Sequence, residues 1–331
     1  MEKMVTMDFT ILKEQFENKK VFVTGHTGFK GSWLLLILKE LGAKVVGYAL
    51  APENEADLFN QIDGAQYCEK SIIANILDAE QLKKEISAFQ PDYIFHLAAQ
   101  ALVRKSYENP IETYLVNTIG TANVLEAMRL LPNACVGIMV TTDKVYENPE
   151  RGTAFEESDK LGGYDPYSAS KATCEIVIDS YRNSFFNAQA FNTHKKSIAS
   201  VRAGNVIGGG DYANDRIIPD VIKGFQSGEP IRIRNPMSSR PWQHVLDPLY
   251  GYLLLLMKLD KKQIVTGSSF NFGPNRSSNK TVNEVINLIN RNFNKEVKII
   301  RKKNNPKIYK ESKTLMLDSS KSKKTLKWNT K

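Results

Sequence analysis

Tyr167 and Lys171 stand four residues apart in PYSASKA (166–172). The spacing predicts a helix that shows both on one face, so that a phenol and an ammonium meet at one point. A phenol titrates near pKa 10, and a neighbouring cation favours its charged form. Such a group can take the proton of an alcohol. A Tyr-x-x-x-Lys pair also arises by chance on helices, so the surroundings decide its meaning. Upstream, the apolar run 136–140 ends in Thr141, Thr142, Asp143 and Lys144. That is the pattern of a buried parallel strand delivering polar side chains at its carboxyl edge. Taken alone, Asp143 also reads as a turn-capping carboxylate.

The elements that must position these groups begin near the start of the chain. Residues 20–24 (KVFVT) predict a buried strand. Gly25, His26, Thr27, Gly28, Phe29, Lys30 and Gly31 follow at once, then an apolar helix over 32–41, Gly42, and a second strand over 44–50. Strand, glycine turn, helix and strand form the first unit of a dinucleotide-binding fold. The glycines let backbone approach a phosphate, and the helix N-terminus supplies amide donors. Lys30 could contact a phosphate or be solvated. No Asp or Glu stands at 48–52 to hold an adenosine ribose, and no Arg to hold a 2′-phosphate, so these residues leave NAD and NADP open. A third strand leads to Asn75 and Ile76, and Asp78 reads as the N-cap of a helix over 79–89. The strand 93–97 closes in Leu97, Ala98, Ala99 and Gln100, whose alanines leave room for a ligand against the backbone. Asn117, on a helical stretch over 110–130, reads as a structural hydrogen bonder or a brace for Lys171.

From residue 203 the character changes. The loop GNVIGGGD (204–211) precedes no helix of the first kind, and Asp215, Arg216 and Arg240 lie among turns. Short helices are expected at 219–226, 245–258 and 282–293. Guanidinium forks match phosphate oxygens, which makes Arg216 and Arg240 candidates for a diphosphate. Asn205 and Gln100 could meet sugar or phosphate, and Arg104 either reaches substrate or forms a surface ion pair.

At 331 residues the chain suits one or two globular domains. No apolar run approaches a membrane span. The first twenty residues lack a signal-peptide core, so a cytoplasmic protein is expected. Cys68, Cys135 and Cys174 are too few and too spread for a disulfide framework, and the four histidines lack ligand spacing, so no metal is expected. The net charge of +9 points toward nucleic acid until it is located. Residues 291–331 hold 14 Lys/Arg against 3 Asp/Glu, which leaves the first 290 residues at −2. No aromatic residues interleave with the basic ones, so a solvated tail is the simpler reading and no nucleic-acid partner is expected.

Gly25, Gly28 and Gly31, then His96 to Ala99, then Tyr167 and Lys171 occur in the order and spacing of the extended short-chain dehydrogenase/reductase family acting on nucleotide sugars, which the chain resembles. Within it the chain is most similar to the CDP-glucose 4,6-dehydratases. The resemblance rests on GHTGFKGSWL (25–34), HLAAQALVRKSYENP (96–110), TTDKVYEN (141–148), PYSASKA (166–172), RAGNVIGGGDYANDRIIPD (202–220) and RPWQHVLDPLYGYL (240–253). Relatives acting on dTDP-glucose carry Asp-Glu in place of Asp143-Lys144. The resemblance implies a doubly wound parallel α/β sheet (Rossmann) over 1–203 and a smaller α/β substrate-binding lobe over 204–331. It implies NAD held by the glycine turn, Asn75, Ile76, Leu97, Ala98, Ala99, Asn117, Thr141, Tyr167 and Lys171. The implied substrate is a nucleotide sugar touching Gln100, Arg104, Asn205, Arg216 and Arg240. Thr142, Asp143, Lys144, Tyr167 and Lys171 are the implied catalytic set, with Lys171 lowering the tyrosine pKa. A homodimer or homotetramer feeding dideoxyhexose polysaccharide biosynthesis is implied as well. Two departures are Asn75, where many relatives have Asp, and an ending at Lys331 where relatives continue through a proline into a closing helix, so that the chain is expected to be either truncated or simply short there.

Overall fold

A computed structural model describes residues 2–150, 152–213, 216–233, 235–262, 268–301 and 314–330, with side chains from residue 9. Asp215 and much of the basic tail lie outside the described residues. The chain opens with helix α1 (Glu2–Phe16) and then alternates: β1 (Lys20–Thr24), α2 (Phe29–Glu40), β2 (Lys44–Ala49), β3 (Lys70–Ile73), α3 (Ala79–Phe89), β4 (Tyr93–His96). Next come α4 (Pro110–Tyr114), a π turn (Leu115–Ile119), α5 (Gly120–Arg129), β5 (Cys135–Val140), α6 (Pro166–Ser184), β6 (Lys196–Ala203) and α7 (Ile217–Ser227). The stretch expected as one helix over 110–130 is therefore interrupted. The i→i+5 turn carries Asn117, and local π geometry of this kind often marks a functional position.

Seven strands form one parallel sheet in the order β7-β6-β5-β4-β1-β2-β3, where β7 is Ser269–Phe272. Alternate side chains divide between the two faces. Val21, Val23, Phe95 and Ile138 pack against α1, α2 and α8 (Leu246–Asp260), through Phe16, Leu34, Leu38 and Leu253. Phe22, Ile94, Met139 and Ile198 pack against α3, α5 and α6, through Leu82, Met128 and Ile178. Because both faces are covered, the strands are apolar almost throughout.

The boundary expected at residue 203 is not clean. α8 and β7 return to the large sheet after the chain has entered the lobe. Helix Ser320–Leu326 and Trp328 then close that edge. Ser322 Oγ donates to Asn271 O at 2.6 Å, and the buried Trp328 donates its indole N–H to Asp247 O at 2.8 Å. The lobe proper is small. Its core is Val221, Ile231, Ile233, Ile286 and Val297, with Ile231–Ile233 paired to Ile299–Arg301. Its helix Val282–Phe293 starts on a capping box made by Thr281 and Glu284.

Candidate active site

Strands β1 and β4 are neighbours, with Thr24 opposite His96, yet β1 continues to β2 on one side and β4 to β5 on the other. The chain thus diverges at their carboxyl ends and opens a crevice, the place where such sheets bind ligands. Gly25 turns out of β1 at φ +74°, and a Cβ there would lie 2.7 Å from Ala98 N. No other residue combines that conformation with that approach. The amides of Phe29, Lys30 and Gly31 fall in the first turn of α2, where a helix leaves its donors unpaired. Thr27 Oγ1 donates to Leu50 O at 2.8 Å and ties the turn to the end of β2.

One cavity of about 1660 Å³ runs from this turn, past the end of β5, into the lobe. It is lined by every candidate named above except Asn117, and also by Leu50, Asn54, Arg232 and Trp242, which the sequence reading did not pick out. Asn117 is buried behind the wall. Its Oδ1 accepts from Gln100 N at 2.8 Å, and its Nδ2 donates to Gln100 O at 3.0 Å and Ser170 Oγ at 2.8 Å. It is a brace between the β4 loop and the helix of Lys171, not a wall residue, because the π turn points its amide inward. Gln100 lines the cavity, but its side chain is engaged by its own loop and by α4: Oε1 accepts from Leu102 N at 2.6 Å, and Nε2 donates to Leu102 O at 3.1 Å and Thr113 Oγ1 at 2.9 Å.

Asp165 caps α6, accepting from Ser168 N at 2.9 Å, and Pro166 occupies the first turn. Asp-Pro before Tyr167 was a legible start signal that the sequence reading left unused. Tyr167 and Lys171 are both buried on this helix. Lys171 Nζ donates to Val140 O at 3.1 Å. Burial pushes the Lys171 ammonium down, with Cys174 and Glu175 opposing. Burial pushes the Tyr167 phenol up to about 12; a hydrogen bond with Thr142 opposes that, Asp143 adds to it and Arg216 opposes it. Lys171, expected to lower the tyrosine, is not among these leading influences; its amine donates to Val140 O.

Thr142 begins a tight turn, Asp143–Val145. Its Oγ1 donates to Asp143 Oδ1 at 3.0 Å, and Lys144 Nζ lies 3.6 Å from the same oxygen. Asp143 is 1 % exposed, and its Oδ2 is buried without a hydrogen-bond partner. A Cβ on Gly204 would sit 2.9 Å from that Oδ2, so a glycine here lets the loop close over the carboxylate.

Cations gather around Lys30 within the cavity. Burial pushes Lys30 down to about 8, Arg216 and Lys171 lower it further, and Asp143 opposes them. Lys30 therefore looks into the same space as Arg216, whose Nη1 is held by Asp211 Oδ2 at 2.8 Å. His26 and His96 are buried and pushed down by desolvation to about 4 and about 3. His96 bridges Thr24 and Thr121 at 2.7 and 3.0 Å. Both rings are neutral structural links at neutral pH. Among the described residues no cluster of three His, Cys, Asp or Glu could hold a metal, and no helix is long and apolar enough to cross a membrane.

The profile of the GDP-mannose 4,6-dehydratase family matches residues 22–331. The chain belongs to that family. It is 47 % identical over 274 residues to the CDP-glucose 4,6-dehydratase of Salmonella typhimurium, an alignment covering 83 % of this chain and 76 % of that protein. Among solved structures it superposes on the UDP-glucose 4-epimerase of Thermotoga maritima, crystallised with UDP-glucose, at TM-score 0.81 and 22 % identity over 94 % of both chains. It superposes on the dTDP-glucose 4,6-dehydratase of Streptomyces venezuelae, crystallised with NAD and TYD, at TM-score 0.79 and 21 % identity over 94 % of this chain and 92 % of that one. At such identity the two structures speak to the fold, and they agree on it. For a family member, the crevice between β1 and β4 and the cavity below it are where a dinucleotide and a second ligand would lie.

Proposed function

We propose that this chain converts CDP-glucose to CDP-4-keto-6-deoxyglucose and water, with NAD as a resident cofactor. The observation that carries the reaction type is the company Tyr167 keeps. An alcohol oxidation needs the phenol and Thr142; here a buried carboxyl with one unpaired oxygen, Asp143, stands beside them. The 47 % identity to a CDP-glucose 4,6-dehydratase supports the choice of substrate.

The glycine cradle and the unpaired first turn of α2 fit a dinucleotide diphosphate, and Lys171 and Thr141 would hold the nicotinamide end and Asn75 and Ile76 the adenine end. When bound, NAD supplies a hydride acceptor that is also the later donor, so the conversion is redox-neutral. Tyr167 takes the proton of the sugar 4-hydroxyl while Thr142 hydrogen-bonds that oxygen. The resulting 4-ketone acidifies the C5 proton, which leaves with assistance from Lys144. Asp143 protonates the departing 6-hydroxyl, water is lost across C5 and C6, and the hydride taken from C4 would be returned to C6 with a proton going back to C5, which gives the 4-keto-6-deoxy sugar. Arg216 and Arg240, both lining the cavity, would hold the substrate diphosphate. The test is incubation with NAD and each of CDP-, dTDP-, UDP- and GDP-glucose, with product mass as the readout. Loss of one water from CDP-glucose is expected. Turnover of another nucleotide sugar alone would overturn the base assignment, and a product that retains its water would make the enzyme an epimerase.

The same proposal takes the working form as a homodimer or homotetramer in the cytoplasm, where free cysteines stay reduced. Ile111, Tyr114, Leu115, Ile119 and Ile176 are exposed on adjoining α4, the π turn and α6, an apolar face suited to a second copy. The Ile111→Asp/Ile176→Asp double variant is expected to run at monomer mass by light scattering; an unchanged oligomer would remove this face from the interface.

A further inference from the structure

Helix α6 carries a third polar residue on the face of Tyr167 and Lys171. Glu175 follows Lys171 by four, as Lys171 follows Tyr167. All three reach the carboxyl end of β5, at consecutive residues. Lys171 holds Val140 O at 3.1 Å, Glu175 Oε1 accepts from Thr141 Oγ1 at 2.5 Å, and the Tyr167 phenol lies beside Thr142.

Glu175 is in turn held by Arg202 of β6, whose fork donates Nε to Oε1 at 3.0 Å and Nη2 to Oε2 at 2.9 Å. Ser200 Oγ adds a bond to Oε2 at 2.7 Å. Burial alone would push the Glu175 carboxyl up, but the Arg202 charge and these hydrogen bonds outweigh it and leave the group below the ordinary carboxylate value. Arg202 also reaches across the turn. Its Nη1 donates to Tyr146 Oη at 2.8 Å and Glu157 O at 3.1 Å, and its Nη2 to Ser269 Oγ at 3.0 Å. Tyr146 Oη donates onward to Asn271 Oδ1 at 2.7 Å.

Thr141 and Tyr146 are the two flanks of the turn that carries Thr142, Asp143 and Lys144. One buried ion pair therefore grips both flanks and the catalytic helix together. A buried pair is a poor source of stability relative to apolar packing, and its better-attested use is to fix one arrangement. We propose that Glu175 and Arg202 are positioning residues that set the Thr142–Asp143–Lys144 turn against Tyr167. Neither lines the cavity, so they act through Thr141 and Tyr146.

The inference rests on the dehydratase reading, and its test has one arm that does not. Removing either charge would leave its partner buried and unpaired, so the variants cut the arms instead. Thr141→Val removes the Glu175 bond and leaves the ion pair. Tyr146→Phe removes the Arg202 bond at the other flank. In both, amide hydrogen exchange measured by mass spectrometry is expected to rise in a peptide spanning 141–147 while the rest of β5 and β6 keeps its protection. With nucleotide-sugar substrate, kcat is expected to fall roughly 10²-fold, the cost of a misplaced reacting group. KM should stay within about threefold, because the diphosphate contacts are elsewhere. Thr141→Ser, which keeps the hydroxyl, is expected to restore both readouts. Unchanged exchange at 141–147 in both variants would overturn the proposal, as would a loss of kcat that Thr141→Ser does not restore. If the wild type turned over no nucleotide sugar, the dehydratase reading would fall, and the exchange arm would still decide whether the pair grips the turn.

Discussion

Replacing Tyr167 with Phe is expected to lower kcat at least about 10³-fold and to leave nucleotide-sugar binding, measured by calorimetry, within a few-fold of wild type. The ring is buried and Phe keeps its volume, so packing on α6 changes little. What is lost is the hydroxyl that Thr142 engages. Positioned acid–base groups contribute roughly 10²–10⁴-fold, and the alcohol proton has no other acceptor proposed for it here. With the phenol pushed up to about 12, the empty protein carries a neutral tyrosine at pH 7. A neutral phenol cannot take a proton, so Tyr167 works as the base only as the phenolate, which the positive charge of bound NAD would favour. A variant retaining a tenth of wild-type activity would dismiss Tyr167 as the base.

The sheet was legible because buried parallel strands are apolar on both faces. KVFVT, KVVGYA and YIFH announce themselves, and each is followed by the turn or small residues that open the crevice. β7 was not, because SFNF places Ser269 and Asn271 where the sheet meets the C-terminal segment and the buried arginine. Its polar atoms are satisfied by partners tens of residues away, which no local pattern reveals. Tyr167, Lys171 and Asp143 were visible by type and spacing. Glu175 shared their spacing, but its meaning depends on Arg202, which only the pairing of β5 with β6 brings beside it. Asn117 reads from its type as a structural hydrogen bonder or brace and is one; its place in the implied NAD set rested on the resemblance, and the π turn carries its amide behind the cavity wall. The idea that Lys171 lowers the tyrosine assumed that two residues on one helix face point at each other, whereas the lysine ends on Val140 O.

Asp143→Asn separates the two halves of the proposed reaction. The side chain is enclosed, with Gly204 against Oδ2 and Thr142 on Oδ1, so an amide of the same shape fits and can still accept from Thr142. It cannot deliver a proton to the departing 6-hydroxyl. Formation of the 6-deoxy product is therefore expected to fall by roughly 10²–10⁴-fold. Tyr167 and Thr142 remain, so the 4-position can still be oxidised, and Lys144, 3.6 Å from Oδ1 in the parent, can still assist at C5. In deuterated water the recovered hexose should then gain deuterium at C5 faster than product forms, whereas the parent enzyme commits each C5 proton loss to dehydration. A purely structural Asp143 would lower exchange and product together, because the turn carrying Thr142 would shift with it. Loss of water at the parent rate would show that the proton comes from elsewhere. Exchange outrunning elimination is the signature that places the acid at this carboxyl, and it distinguishes a dehydratase built on an alcohol oxidation from an oxidation site with a carboxylate nearby.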